Sequence, residues 1–252
     1  MTVLVDCWDR RIRRAEELTA RYPAAAELLR FYGTIARFQR TLALEFEALH
    51  DPPRDLSLDP ARLPWPVKQY RGRLLALLQQ EAPPQLAQAA ALLARAKDWD
   101  PADPAPRFLA RVLVQPYAQF LARRERLTEP HATRAECPFC GEKPLSAVLR
   151  PEGEGGKRSL ICSLCFTEWE FRRLLCPNCG EEDHQRLPIY TAEEFPHVRV
   201  EACDTCRFYL KAIDLTRDGL AVPDVDELAA VPLDLWAIGR DYTKLQPNLV
   251  GL

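Results

Sequence analysis

The sequence has no long apolar run, almost no net charge and no catalytic signature, and each of these lacks removes a class of function. No segment approaches the ~18–20 uninterrupted apolar residues that a membrane-spanning helix needs, so no membrane partner is expected. The opening MTVLVDCWDRRIRRAEE puts acids and arginines where a secretory signal has its apolar core, so a cytoplasmic location is expected. The formal net charge is −2 over 252 residues, which is no electrostatic footprint for nucleic acid or acidic lipid. Neither a nucleophile–base arrangement nor a phosphate-binding loop is present, so the chain reads as something other than an enzyme.

What is present is a globular composition and an excess of cysteine. Hydrophobic residues make up 47% and charged residues 28%, values that exclude global disorder. Nine cysteines occur, too many to be disulfides in a reducing compartment, and eight of them form Cys-x-x-Cys pairs. Metal ligation is the default reading of such pairs.

Residues 1–130 read as helices. In PAAAELLRFYGTIARFQRTLALEFEALH, Leu28, Phe31, Ile35, Phe38, Leu42, Phe46 and Leu49 recur at three- and four-residue steps, which predicts one long amphipathic helix. A shorter helix over 8–21 precedes it. VKQYRGRLLALLQQ, QLAQAAALLARAKDW and PRFLARVLVQPYAQFLARRERL predict three more, the last kinked at Pro116. Proline-marked connections favour an antiparallel bundle. Cys7 is isolated and reads as an ordinary thiol, and His50 and His131 as solvated surface. At LTEPHATRAEC (127–137) the periodicity gives way to short β-prone pieces: LSAVL, SLIC, LPIY, HVRVEAC and FYLKAIDL. The expected fold class is α+β, with a helical bundle over 1–130, two tandem ribbons over 131–215, and a tail with a short helix over 216–252.

The pairs are Cys137/Cys140, Cys162/Cys165, Cys176/Cys179 and Cys203/Cys206, separated by 21, 10 and 23 residues. Long, short, long divides the array into two ribbons, 137–165 and 176–206, each led by Cys-Pro-x-Cys-Gly. Two residues between cysteines let one tight turn aim both sulfurs at a single ion, and a following glycine takes the positive φ that such a turn needs. A hairpin-length loop then returns a second pair to complete a tetrahedral four-thiolate site, suited to zinc or a single iron. Two complete four-cysteine sets leave no open coordination position, which argues against hydrolytic metal catalysis. A dithiol redox motif wants a helix opening at the first cysteine, and Gly141, Pro144 and Gly180 oppose one. Phe166 and Arg207 replace the glycine after the second and fourth pairs. The aromatic residues Phe166, Trp169, Phe171, Phe208 and Tyr209 are read as core around the sites, and His184 and His197 as surface.

Zinc ribbons commonly bind nucleic acid, which makes a nucleic-acid-binding or transcription-related protein one rival reading. However, residues 131–252 carry 14 Lys+Arg against 20 Asp+Glu, and only Lys157, Arg158, Arg172 and Arg173 form a local basic strip. A rubredoxin-like electron-transfer protein is a second rival, burdened by a helical region of 130 residues.

CPFCGEKPLSAVL, GGKRSLICSLCFTEWEFRRLLCPNCG, VRVEACDTCRFYLKAIDL and the ending DVDELAAVPLDLWAIGRDYTKLQPNLVGL closely resemble the formate dehydrogenase accessory protein family, FdhE. The resemblance covers about residues 135–252. It implies a cytoplasmic accessory factor for assembly or activation of a molybdenum- or tungsten-dependent formate dehydrogenase, acting on its catalytic subunit. It also implies a rubredoxin-like, metal-binding region in which the eight paired cysteines hold two metal ions, iron or zinc. Pro232 departs from the ordinary helix former expected in the tail helix and predicts a distortion there. The crevice between bundle and ribbons is the expected docking place for a client.

Overall fold

The computed structural model describes residues 3–96, 100, 103–125, 132–152 and 155–251. The expected change of character at 127–131, and with it His131, lies outside the described residues.

Helix α1 (Val3–Arg21) buries Leu4, Trp8, Arg11, Ala15 and Leu18, a run of alternating four- and three-residue steps that keeps one face inward. A short 3₁₀ turn (Pro23–Ala25) leads into α2 (Ala26–Glu47). Of the expected stripe of α2, Ile35, Leu42 and Phe46 are fully buried, and the inner face is wider than that stripe. Leu29, Tyr32, Ala36, Gln39, Ala43 and Phe46 are buried, whereas Leu28, Phe31, Phe38 and Leu49 are only partly so. The inner face extends past the stripe through Leu29, Tyr32, small residues (Gly33, Ala36, Ala43) and one amide, Gln39, and the small residues and the amide do not register in a count of large apolar side chains.

The segment read as one helix over 67–80 is two, α3 (Trp65–Lys68) and α4 (Arg71–Glu81). The break falls where the Tyr70 N–H donates back to Val67 O at 3.0 Å while its ring packs edge-on to Phe46 and its hydroxyl donates to Glu45 at 2.6 Å. Helices α5 (Pro84–Arg95) and α6 (Pro104–Arg124) complete the bundle.

Helix α6 runs through Pro116 without ending. A proline inside a helix leaves the carbonyl four residues back without its donor. Here that carbonyl, Val112 O, accepts instead from the buried Gln39 side chain on α2 at 2.9 Å.

The β-prone pieces form strands as expected: β1 (Pro144–Glu152), β2 (Gly155–Cys162), β4 (Ile189–Thr191), β5 (Val198–Ala202) and β6 (Phe208–Asp214). Two shorter strands, β3 (Glu168–Glu170) and β7 (Thr243–Lys244), carry too few residues for a pattern. The two ribbons are not separate beads. They share one seven-stranded sheet in the order β3-β2-β1-β6-β5-β4, with β7 alongside β6. The seam is the parallel pair β1–β6, Ser146 to Leu149 opposite Lys211 to Asp214; all other strand pairs except β6–β7 are antiparallel.

The tail holds two helices, α7 (Pro223–Ala229) and α8 (Val231–Ile238). Pro232 falls in the first turn of α8, where its missing N–H has no partner to lose, so it opens a helix rather than bending one. Helix α7 lies against both the sheet (β1, β6) and the bundle (α1, α2), and a single cluster of buried side chains runs from Leu4 through Phe46 and Leu113 to Trp169, Val200 and Leu245. No described helix is long and apolar enough to cross a membrane.

Candidate metal centres

Each Cys-x-x-Cys pair sits in a turn of the same construction. The first cysteine's N–H donates to the carbonyl five residues on: Cys137 to Glu142, Cys162 to Thr167, Cys176 to Glu181 and Cys203 to Phe208, all at 2.9 Å. The residue after the second cysteine takes a positive φ in every turn: Gly141 +76°, Phe166 +57°, Gly180 +77° and Arg207 +61°. Glycine is used where only backbone is needed. Phe166 and Arg207 carry the strain of the left-handed region, about 1–2 kcal/mol for a residue with a Cβ, because their side chains have contacts to make. The Phe166 ring lies under the Arg11 guanidinium at 4.0 Å and edge-on to Trp8 at 6.2 Å. Arg207 bonds Asp204 and the Arg240 carbonyl.

The turns converge in two clusters. The Sγ atoms of Cys137, Cys140, Cys162 and Cys165 all lie within 4.8 Å of one another, as do those of Cys176, Cys179, Cys203 and Cys206. Individual separations are 3.4–3.6 Å in the first cluster and 3.7 Å in the second. A disulfide is ~2.05 Å, so these are free sulfurs. Four thiolates on a tetrahedral ion with ~2.3 Å bonds stand about 3.8 Å apart, so the spacing fits a four-sulfur metal cage.

The electrostatics agree. Hydrogen bonding to Cys137 and Cys140, with burial, pushes the Cys162 thiol far above its ordinary range, while bonds from Cys140, Cys162 and Cys165 hold Cys137 low. Four sulfurs this close cannot all shed their protons unless a cation replaces them. Backbone N–H groups aim at the same sulfurs, Leu164 at Cys162 Sγ (3.3 Å) and Asn178 at Cys176 Sγ (3.4 Å), and would stabilise them as thiolates.

The surroundings of the two clusters differ. The first is gripped by α6: Arg111 donates to Glu142 at 2.7 Å and Gln115 to Ser163 O at 3.0 Å, one contact on each of its turns. Gln115 also accepts from Gln39, so an amide relay runs from the Pro116 defect to the loop between Cys162 and Cys165. Trp169 is buried with its Nε1 donating to Arg134 O at 2.8 Å, which is the core role expected of it. The second cluster lies at the far end of the sheet, with Cys179 exposed and a small apolar groove of about 50 Å³ beside it.

His184 is exposed, as expected; His197 is not. It is buried with Nε2 2.8 Å from Asp226, beside Asp218. These three could pass for a metal site, but Arg14 already supplies the cation, donating at 2.6 Å to both carboxylates. The local expectation failed because the partner of His197 is Asp226, 29 residues later in the chain.

Of the local basic strip, Lys157 pairs with Glu170, Arg158 with Glu201 and Arg172 with Glu182, each at 2.7–2.8 Å, and Arg173 donates to the Gly156 carbonyl. Three of the four charges are thus neutralised by carboxylates, which leaves Arg173 as the one uncompensated cation of this strip among the described residues, too little for tracking a phosphate backbone.

A second buried charge network was missed by sequence reasoning. Lys211, in the middle of β6, meets Asp234 at 2.6 Å and Glu227 at 3.0 Å; Lys244 joins the same two carboxylates. Asn248 donates to Glu227 at 3.2 Å and Tyr209 to Asp234 at 2.8 Å. The available signal was a lysine within the apolar run FYLKAI.

Residues 136–173 match the model of "FdhE, central domain" and residues 174–250 that of "FdhE, C-terminal domain". A protein FdhE homologue of Aquifex aeolicus is 36% identical over 146 residues, 58% of this chain and 52% of that protein. One of Pseudomonas putida is 35% identical over 168 residues, 64% of this chain and 52% of that protein. One of Pseudomonas aeruginosa is 29% identical over 285 residues, 97% of this chain and 90% of that protein. The matched part thus spans about half the length of the first two. The crystal structure of the FdhE protein from P. aeruginosa superimposes with a TM-score of 0.78 at 26% identity, covering 98% of this chain and 96% of that one.

Proposed function

The chain belongs to the FdhE family, and from that premise we propose that it is a cytoplasmic accessory protein for formate dehydrogenase, needed to assemble or activate the enzyme and binding its catalytic subunit. Family membership supports the accessory role, and binding of the catalytic subunit is the finer step. A non-enzymatic role is in keeping with two sulfur clusters that offer no free ligand position. A reducing compartment suits eight unpaired thiols.

We assign Cys137, Cys140, Cys162 and Cys165 to one metal ion and Cys176, Cys179, Cys203 and Cys206 to a second, iron or zinc. The observation that carries this is the near-tetrahedral spacing of both sulfur sets. The role favoured is structural. Each cluster ties two separate turns to one another, so metal binding free energy becomes folding free energy.

Affinity capture of the tagged protein from cells expressing formate dehydrogenase tests the partner. Enrichment of the catalytic subunit is expected; its absence, with nucleic acid or transcription proteins recovered instead, overturns the reading. Replacing Cys137 and Cys140 by Ser separates the metal's roles. Loss of the first metal with loss of ordered sheet signal is expected. A variant that folds and captures its client yet yields inactive enzyme would assign the metal to redox chemistry.

A further inference from the structure

The junction between bundle and sheet is mostly filled. Arg11 and Arg14 of α1 are buried against Asp224, Asp226 and His197, and little of the expected crevice remains. What stays open is a cleft of about 230 Å³ where α1, α6, the β1–β3 strands and the segment before α7 meet. Its lining includes four arginines, Arg10, Arg11, Arg123 and Arg150, against two carboxylates, Glu168 and Asp224.

Both carboxylates are already engaged. Glu168 forms a two-point pair with Arg150 at 2.8 and 2.7 Å, and Asp224 accepts from Arg11 and from the Tyr32 hydroxyl at 2.8 Å. Arg10 and Arg123 therefore keep uncompensated charge: neither has a carboxylate within ion-pair distance among the described residues, and Arg123 donates only to Cys7 Sγ. Gln119, 6% exposed, accepts from Arg11 through Oε1, and its amide nitrogen makes no hydrogen bond among the described residues at the cleft. The remaining wall is apolar, formed by Ile161, Phe166, Leu215 and Val222.

Isolated surface arginines are ordinary and mean little. Two unneutralised guanidiniums on different helices, with a spare amide donor and an apolar wall in the same concavity, make up a receptor. Guanidinium groups match the oxygen geometry of phosphate, and a volume of about 230 Å³, below the about 300–1,000 Å³ of drug-sized sites, suits only a small ligand. We propose that this cleft binds a small organic phosphate, with its anionic group facing Arg10 and Arg123 and its apolar body against Ile161, Phe166 and Leu215. None of the cleft's lining residues is a cluster cysteine, but Ile161 and Phe166 flank Cys162 and Cys165, so the cleft needs the first cluster intact.

The test uses the intact, metal-loaded protein and a fluorescent N-methylanthraniloyl ADP probe. Saturable binding is expected, displaced by inorganic pyrophosphate and not by adenosine. The Arg10→Ala/Arg123→Ala double variant should weaken it by at least about tenfold. Arg10 and Arg123 are exposed, so an unchanged far-UV circular dichroism spectrum is expected as well. An independent readout is Cys7, the one thiol outside the clusters: ADP should slow its alkylation by iodoacetamide several-fold, read by peptide mass spectrometry. No saturation up to about 1 mM, undiminished binding by the double variant, or an unchanged Cys7 rate would each overturn the assignment. So would displacement by an acidic peptide but not by pyrophosphate, since the cleft would then be a protein-binding surface.

Discussion

Pro116 deprives Val112 O of its helical donor, and Gln39 replaces that donor from the neighbouring helix. The same amide group reaches Gln115, whose own amide reaches the Ser163 carbonyl in the first cysteine cluster. Gln39 is fully buried, so water cannot take its place. Gln39→Leu keeps the volume but leaves the Val112 and Gln115 oxygens without a donor, at a cost of about 1–3 kcal/mol. Urea unfolding should show a lower midpoint with an unchanged slope; a shift below about 0.5 kcal/mol would mean that the relay is slack. The same residue explains why the periodicity of α2 marked only part of its inner face, because a polar side chain doing a backbone's work is invisible to a hydrophobic pattern.

Among elements, α7 draws charged partners from both the bundle and the sheet. Its Asp224 and Asp226 receive Arg11 and Arg14 from α1, and its Glu227 receives Lys211 from β6 and Lys244 from β7. Burial alone would push the Glu227 carboxyl up, but the two ammonium groups outweigh it and bring it down from 4.5 to about 2. A carboxylate depressed in the folded state stabilises fully above its unfolded value and ceases to as pH falls through the folded one. The loss therefore falls between about pH 4.5 and pH 2. Glu227→Gln should cost about 3 kcal/mol or more at pH 6, because it strands two buried lysines beside one remaining carboxylate. Measured by urea unfolding, the gap between the variant and the parent should narrow at pH 3. A constant or widening gap would contradict the depressed carboxyl.

For the whole molecule, the two cysteine clusters are alike in their turns and unlike in their settings. The first is buried under α6, while the second has an exposed sulfur at the sheet's far end. With both clusters metal-loaded, a chromogenic chelator should release the metals in two phases, the faster from the second cluster. Cys176→Ser/Cys179→Ser should remove the fast phase alone. A single phase in the parent would mean that the clusters open together, through unfolding of the shared sheet.

The sequence by itself determined the α+β division, the strands from LSAVL to FYLKAIDL, and the partition of eight cysteines into two sets of four. Each of these rests on local periodicity, or on the short reach of a two-residue turn and a hairpin loop. Only the tertiary structure decided that the ribbons join through the parallel β1–β6 seam and that Pro232 opens a helix. It alone buried His197, and it alone exposed the arginine cleft. These depend on partners brought together from distant parts of the chain, such as Arg14 with Asp226 and Arg11 with Asp224. Charges paired at that range leave no periodic trace, because their energy depends on distance in space and not on spacing along the backbone.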